Sequence, residues 1–157
     1  MIRWLEKEHE LNRLSDLFEI LYRNMESIAP MGEDYEAEKE AWVTCITRAL
    51  SKAPRQILLI FVGDDLAGFC MYYIREDLLM VEELQLKPAY QKTVLAAEIF
   101  RFLRRNLFQK VRWIEAYADR RNLQSRALME KLGMVMLEEP EESDFVHFRG
   151  AQQKYRE

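Results

Sequence analysis

Two adjacent glutamates lie inside a strand-like apolar run. Glu82 and Glu83 interrupt residues 78–86, which otherwise consist mostly of leucine, methionine and valine. Alternation along a strand would place the two carboxyl groups on opposite faces, with Leu84 and Leu86 on the face of Glu82. A carboxylate whose pKa is raised by partial burial can take a proton from an ammonium group, directly or through water. The pair therefore predicts a general base, but two solvent-facing or ion-paired glutamates would give the same pattern.

A proton donor is present in a second strand-like segment. Residues 111–118 alternate between two sets of side chains, and Tyr117 belongs to the set that contains Trp113 and Glu115. A phenol hydroxyl can donate a proton, so Tyr117 is a candidate general acid. A tyrosine that serves only packing and one hydrogen bond is the alternative.

Metal, disulfide and nucleotide chemistry have little support in the sequence. The two histidines are far apart, and Cys45 and Cys70 form no C-x-x-C pair, so the spacing of metal ligands is missing and no metal is expected. We expect both cysteines to be buried free thiols in a reducing cytoplasm. No glycine lies between Gly68 and Gly133, which excludes an intact glycine-rich phosphate loop in the middle of the chain.

Length and apolar runs predict one domain without a membrane span. The chain has 157 residues, about the size of one domain, so we expect a single domain over 1–157. The longest uninterrupted apolar run, residues 66–74, is far shorter than the roughly 20 residues of a membrane helix. The N-terminus has no apolar stretch of signal-peptide length. These features predict a cytoplasmic protein.

Charge is distributed unevenly along the chain. Residues 1–86 carry 9 Lys+Arg against 17 Asp+Glu, residues 87–131 carry 11 against 4, and residues 132–157 carry 3 against 6. The basic middle segment indicates an anionic ligand, or else the solvated face of a helix. The acidic first segment indicates, with the same alternative, a cationic ligand. Nucleic acid is not expected as a partner, because the net charge is −4 and no nucleic-acid motif is present.

Hydrophobic periodicity predicts eleven elements in the order βααβββαβαββ. The predicted segments are strands at 2–5, 56–62, 66–74, 78–86, 111–118, 134–137 and 145–148, and helices from Glu8 to Met25, from Asp34 to before Pro54, from Thr93 to Leu107 and from Asn122 to Leu132. The last two strands are expected to pair around Pro140. The strand–helix–strand unit over residues 78–118 implies a parallel pair, so the fold class is a mixed α/β sheet.

Three local signatures in this order resemble the GNAT superfamily of N-acetyltransferases. Residues 59–69 read LIFVGDDLAGF, residues 83–91 read ELQLKPAYQ, and residues 122–134 read NLQSRALMEKLGM. They are similar to the family's central hairpin, to its fourth strand with the following acetyl-CoA loop, and to its N-x-x-(A/S)-x-x-L-Y-x-K-x-G-F block. The resemblance covers essentially the whole chain and implies the GNAT acyl-CoA N-acyltransferase fold.

The resemblance also implies a co-substrate and the residues that bind it. Acetyl-CoA would lie in a splay between the fourth and fifth strands, and its pyrophosphate would lie at the N-terminus of the next helix. The implied binding residues are Leu84, Gln85, Leu86, Gln91, Lys92, Thr93, Val94, Leu95, Ala96, Asn122 and Lys131. Asn122 also suits a helix N-cap, and helical spacing adds Arg126 as a contact for the 3′-phosphate. Family members often form dimers, so a homodimer is a further expectation.

Two positions depart from the family pattern. Val94 replaces the first glycine of the family's Q/R-x-x-G-x-G/A loop, and Met129 replaces the tyrosine that usually acts as general acid. A valine adds bulk near the phosphates, and a thioether cannot donate a proton. The sequence therefore predicts an acetyl-CoA-dependent N-acetyltransferase acting on a primary amine of a small molecule or peptide. The alternative is a GNAT-fold binding or interaction module with weak or no transfer.

Overall fold

The computed structural model describes residues 1–52, 54–137 and 142–151, and their strands form one mixed sheet. The strands of this part are β1 (Ile2–Trp4), β2 (Gln56–Val62), β3 (Asp65–Arg75), β4 (Leu78–Leu86), β5 (Trp113–Asp119), β6 (Val135–Leu137) and β7 (Phe145–Ala151). Its α-helices are α1 (Leu14–Met25), α2 (Tyr35–Leu50), α3 (Leu95–Asn106) and α4 (Leu123–Lys131). In the described ranges, no helix combines the length and the apolar character that a membrane crossing requires.

The sheet has the order β1-β2-β3-β4-β5-β7-β6, and the predicted element order is confirmed. Strands β1 to β4 pair antiparallel, β4 and β5 pair parallel, and β5, β7 and β6 pair antiparallel. The predicted parallel pair is therefore present, joined through α3. The last two strands pair as expected, but Pro140 lies outside the described residues.

The sheet separates two hydrophobic clusters. On one face, α1 and α2 cover a cluster that contains Leu17, Leu59 and Phe69. On the other face, α3 and α4 cover a cluster that contains Leu103 and Phe148. Each such side chain contributes roughly 1.5–3 kcal/mol when it is fully buried. The sheet is therefore held from both sides, and β4 lies in its centre.

Two helices begin later than their periodicity predicts. The first begins at Leu14 rather than at Glu8, after a 3₁₀ turn at Leu11–Arg13. Helix α3 begins at Leu95 rather than at Thr93, because the Thr93 hydroxyl accepts a hydrogen bond from the Leu95 amide just before the first turn. Local hydrogen bonds of this kind compete with helix formation at its start.

The prediction of two buried thiols is half right. Cys70 is buried in β3, but Cys45 is exposed on α2. The buried residues of α2 are only Ile46 and Leu50, so the helix lays a narrower apolar face on the sheet than its spacing predicts.

Strand β4 is irregular at the position of the paired glutamates. Its pairing with β3 shifts by one residue between Met71 and Tyr72, so Glu83 lies opposite Met71, Val81 lies opposite Tyr72, and Glu82 has no partner in the register. Such a bulge interrupts the alternation of side chains. The regular alternation predicted for residues 78–86 is therefore interrupted at Glu82.

A glycine permits β3 and β4 to approach closely near this bulge. A Cβ atom added at Gly68 would lie 2.2 Å from the backbone oxygen of Gln85. That distance is far inside van der Waals contact, so any larger residue at Gly68 would push β4 away. Gly68, in the segment that resembles the family's central hairpin, is therefore needed for the close packing of β3 against β4.

Candidate active site

Strands β4 and β5 separate after four paired positions. Their parallel register runs from Leu78–Trp113 to Val81–Ala116. Beyond it, β4 continues to Leu86 and β5 to Asp119, with a cavity of about 120 Å³ between them. Residues 82–85 therefore present one strand edge to the cavity, and the backbone groups on that edge have no strand partner in the described part of the chain. Unpaired backbone donors of this kind can bind an extended ligand or stabilise a developing oxyanion.

Glu82 is committed to an ion pair. The Arg55 guanidinium donates from Nε and Nη2 to the two Glu82 carboxylate oxygens, at 2.5 Å and 2.6 Å. Arg55 also lies over the Tyr73 ring. A bidentate pair of this geometry is among the strongest contacts that a carboxylate makes. Glu82 is therefore an ion-paired glutamate, which was the alternative to a general base, although it still lines the cavity.

Glu83 has a different environment on the same wall. The Gln85 side-chain amide donates from Nε2 to Glu83 Oε2 at 2.9 Å. Burial raises the pKa of Glu83, the hydrogen bond from Gln85 lowers it in part, and the nearby charge of Glu82 raises it further. Among the described residues, no cationic side chain forms an ion pair with Glu83. A carboxylate with a raised pKa beside a cleft has the properties of a general base.

The Gln85 amide is itself held by helix α1. Asn24 donates from Nδ2 to Gln85 Oε1 at 3.0 Å and to the backbone oxygen of Leu86 at 2.8 Å. The side chain of Gln85 is therefore directed toward α1 and Glu83, while Leu84 and Leu86 pack on the α3 side of the sheet. The implied contacts of residues 84–86 with a co-substrate involve only their backbone, and they remain predictions.

Tyr117 lies on the opposite wall of the cavity. Its side chain is 46% exposed, and its ring stacks on the His147 ring, with centroids 4.3 Å apart and planes inclined by 11°. The buried Glu115 carboxylate lies 3.2 Å from His147 Nε2 and accepts a hydrogen bond from Arg149 at 3.0 Å. The stack on His147 therefore supports the Tyr117 ring at the cavity lining.

The loop before α3 stands largely in solvent. Lys92 is exposed and adopts φ of 58°, and Val94 is 79% exposed with φ of −65°. A valine tolerates that backbone angle without strain, so the missing glycine does not deform the loop. The Thr93 hydroxyl donates to the Tyr90 carbonyl, whereas the Leu95 side chain is buried in the core. Lys92, Thr93 and Val94 are thus the loop side chains that are accessible to an anion at the start of α3.

Contacts that the sequence does not reveal hold this loop against the sheet. Asp65, at the start of β3, accepts hydrogen bonds from Lys87 Nζ at 3.0 Å and from the Tyr90 hydroxyl at 2.6 Å. Gln91 donates from Nε2 to the Leu86 carbonyl at 3.0 Å. Gln91 therefore connects the end of β4 to the loop, and its predicted contact with a co-substrate is not tested by this bond.

Helix α4 closes one end of the cavity. The Asn122 side chain caps the helix by accepting from the Ser125 amide at 3.0 Å, and both residues line the cavity. Met129 is buried on the same lining. Lys131 lies at the far end of α4, about 13 Å along the axis from Asn122 at 1.5 Å per residue, and is exposed. The N-cap interpretation of Asn122 is confirmed, and the contacts of Lys131 with a phosphate remain a prediction.

The Arg126 guanidinium also has local partners. It donates to the Arg120 carbonyl at 3.1 Å and lies 3.9 Å from the Met136 sulfur. The proposed reach of Arg126 to a phosphate would require these contacts to break.

Two residues that hold side chains of the cavity wall in place could not be identified from the sequence. Asn24 and Arg55 carry no motif, and their partners are 61 and 27 residues away in the chain. Within helix α1, Asn24 is one of several polar residues, and nothing in its neighbourhood along the chain indicates that it faces β4. Long-range pairs of this type become visible only when the fold brings α1 and β2 to β4.

Solved structures share this architecture at low sequence identity. An acetyltransferase from Thermus thermophilus is 13% identical with a TM-score of 0.74, covering 96% of this chain and 97% of that chain. A PaiA N-acetyltransferase from Thermoplasma acidophilum, solved with coenzyme A, is 23% identical with a TM-score of 0.68 over 96% and 98%. A spermidine N-acetyltransferase from Vibrio cholerae, solved with coenzyme A and spermine, is 18% identical with a TM-score of 0.69 over 99% and 96%.

The sequence itself also matches a family. No curated protein sequence matches the chain. The family model described as the acetyltransferase (GNAT) domain matches residues 2–135, which include strands β4 and β5, the loop before α3 and helix α4. The resemblance found in the three signatures is therefore confirmed, and this chain belongs to the GNAT acetyltransferase family.

Proposed function

We propose that this protein is an acetyl-CoA-dependent N-acetyltransferase that acts on a primary amine of a small molecule or peptide. The observation that carries the proposal is Glu83, a carboxyl group with a raised pKa on the wall of the cleft where β4 and β5 separate. Glu82 is a weaker candidate for the base because both of its oxygens accept from Arg55.

The residues around the cleft suit acetyl-CoA. The unpaired edge of β4 offers backbone groups to an extended pantetheine arm, and the start of α3 offers helix N–H groups with the exposed Lys92 and Thr93 to a pyrophosphate. Two of the similar structures were solved with coenzyme A. When bound, acetyl-CoA supplies an activated carbonyl carbon and a thiolate leaving group.

The roles of the protein side chains follow from their positions. Glu83 accepts the proton of the acceptor ammonium on a carboxylate oxygen, which leaves a neutral amine able to attack the carbonyl carbon. The backbone donors of β4 stabilise negative charge on the carbonyl oxygen. Tyr117, on the other wall, donates its hydroxyl proton to the departing sulfur. This donor takes the place of the family tyrosine, where the chain has the buried Met129.

A second candidate function is acyl-CoA binding without efficient transfer. Met129 favours it, because a buried thioether at the cavity lining cannot donate a proton. Efficient transfer then requires Tyr117, on strand β5, to replace a donor whose usual position is on helix α4. If it does not, the protein binds acetyl-CoA and transfers slowly or not at all.

Thermal melts with acetyl-CoA and a thiol-release assay separate these functions. At about 100 times its Kd, a ligand that binds only the folded state adds about 2.7 kcal/mol of stability. We expect a higher melting temperature with acetyl-CoA, and release of free thiol in the presence of at least one primary amine of a broad panel. A thermal shift without thiol release favours the binding module. No shift at millimolar acetyl-CoA contradicts both functions.

Location and assembly belong to the same proposal. A cytoplasmic location would supply acetyl-CoA and keep the two free cysteines reduced. A homodimer is proposed from the family resemblance alone, and light scattering coupled to size exclusion measures it directly.

A further inference from the structure

A chain of side-chain hydrogen bonds connects helix α1 to the carboxyl group in the cleft. Asn24 Nδ2 donates to Gln85 Oε1 at 3.0 Å, and Gln85 Nε2 donates to Glu83 Oε2 at 2.9 Å. We propose that Asn24 and Gln85 are positioning residues that hold the Glu83 carboxyl at the cleft as a proton acceptor. The inference rests on the proposed function, because it assigns the support of the base named there.

A backbone carbonyl determines the direction of this chain. The Leu86 oxygen can only accept, so it requires the nitrogen of the Asn24 amide, which donates to it at 2.8 Å. The same nitrogen donates to Gln85, which must therefore present its oxygen to Asn24 and its nitrogen to Glu83. A donor at this end stabilises the ionised form of the carboxyl group. The polarity of the whole chain is thus fixed by the strand edge at Leu86.

Asn24 is poorly suited to a purely structural role. Its Oδ1 atom is buried and has no hydrogen-bond partner in the described structure. An unpaired buried acceptor destabilises a fold, and an apolar residue of similar size would avoid that loss. What the asparagine contributes is its nitrogen, which no apolar residue can replace.

The charged groups near Glu83 have partners of their own. The Gln85 amide is therefore the group that stabilises the ionised form of the Glu83 carboxyl. Glu82 faces Arg55, and Asp119, on the β5 wall, faces Arg121. Tyr117 completes the titratable groups along the two walls of the cavity. On the neighbouring strand β3, burial and the charge of Glu83 raise the pKa of the Cys70 thiol to about 12, so this group stays neutral. Burial and the charge of Glu82 raise the pKa of Glu83, whereas the hydrogen bond from Gln85 lowers it. Removing the Gln85 donor must therefore raise that pKa.

The test is the pH dependence of acetyl transfer in the Gln85→Met variant. The base acts when ionised, so a higher pKa moves the acidic limb of kcat/KM to higher pH. A hydrogen bond to a charged group corresponds to a shift of about one pH unit. Asn24→Ala should move the limb in the same direction by less, because the Gln85 nitrogen is still present. The double variant should shift no further than Gln85→Met, because Asn24 acts through Gln85.

A matched control separates positioning from general loss of helix contacts. Asn106 also donates from its side chain to a backbone carbonyl, that of Phe102 in α3, and lies at the far end of that helix. We expect Asn106→Ala to leave the acidic limb in place. A fall in kcat/KM without movement of the limb in Gln85→Met would overturn the proposal and assign Gln85 a structural role only.

Carbon-13 NMR of the side-chain carboxyl groups tests the inference without a measurement of activity. The Glu83 titration should move to higher pH in Gln85→Met whether or not an amine acceptor has been found. If this movement is seen and no amine supports thiol release, the network stands and the proposed function fails. If transfer is found but the Glu83 titration is the same in both proteins, the network fails and the proposed function stands.

Discussion

The β4 wall of the cleft and the loop before α3 differ in how their side chains are held. On the wall, Glu82 has a bidentate arginine partner and Glu83 accepts from an amide that α1 orients. In the loop, Lys92 and Val94 stand in solvent. The wall therefore fixes the positions of the carboxyl groups, one of which we propose as the base, whereas the loop offers a helix terminus and a charge.

From this difference we expect the departure from the family pattern at Val94 to be tolerated. Anion binding at a helix start depends on backbone N–H groups more than on a particular side chain. Proton transfer depends on one carboxyl group in one position. A substitution on the wall should therefore reduce activity far more than a substitution in the loop.

The largest effect is expected for Glu83→Gln. Loss of a general base lowers the rate by typically 10²–10⁴-fold, and we expect a fall in kcat of that size with acetyl-CoA affinity retained. The neighbouring Glu82→Gln is the matched control, since it alters the adjacent carboxylate and the Arg55 pair. Thiol-release kinetics of both variants measure the difference. A larger loss in Glu82→Gln than in Glu83→Gln would assign the base to the other glutamate.

Tyr117→Phe should have the next largest effect. The phenylalanine keeps the ring that stacks on His147 and removes only the hydroxyl. A thiolate of pKa near 8.5 leaves fairly easily, so we expect the lower end of the range for acid catalysis, about 10²-fold in kcat. KM for acetyl-CoA should be unchanged. Steady-state kinetics measure both constants, and an unaltered kcat would limit Tyr117 to a structural role.

A substitution in the loop should have a smaller effect, and it should improve acetyl-CoA binding where the two wall substitutions lower activity. Val94→Gly removes an exposed side chain at the start of α3 and lets the backbone approach the phosphates more closely. We expect the Kd for acetyl-CoA to fall about two- to five-fold, in keeping with the roughly 0.5–1 kcal/mol scale of glycine effects. Isothermal titration calorimetry compares the two proteins. Equal affinities would show that Val94 does not weaken binding.

The smallest effect concerns stability. Because burial raises the pKa of Glu83 in the folded state, ionisation of this group destabilises the fold as pH rises above its usual value of 4.5. Glu83→Gln removes the charge, so its melting temperature should exceed that of the wild type by a few degrees at pH 8, a change of about 1 kcal/mol. The difference should vanish near pH 4. A variant that melts below the wild type at pH 8 would contradict the burial of an ionised Glu83.

Periodicity and turn residues predicted the elements, their order and the parallel pair, because each depends on spacing within a short segment. The arrangement of Glu82 and Glu83 could not be predicted in the same way. It depends on a bulge in β4, on the close approach of that strand to Gly68, and on Arg55 at a distance of 27 residues. These contacts exist only after β2 and β3 have paired.

The candidate site follows the same division. Adjacent carboxylates and a tyrosine were recognisable by residue type, and the structure brings all three to the cavity lining. What distinguishes Glu83 from Glu82 is the partner of each carboxyl group. Arg55 reaches Glu82 from outside β4, and the partner of Glu83 is Gln85 on β4, whose amide is oriented by Asn24 of α1. Sequence spacing therefore identified the candidates but could not rank them.

Backbone amide NMR of the nitrogen-15-labelled protein, titrated with acetyl-CoA, tests the central claim most directly and needs no knowledge of the acceptor. The claim is that acetyl-CoA binds along the free edge of β4 with its phosphates at the start of α3. We expect the largest shifts in the amides of residues 83–86 and 92–96, with small shifts in β1 and α2. Shifts confined to other parts of the sheet, or no shifts at millimolar acetyl-CoA, would contradict it.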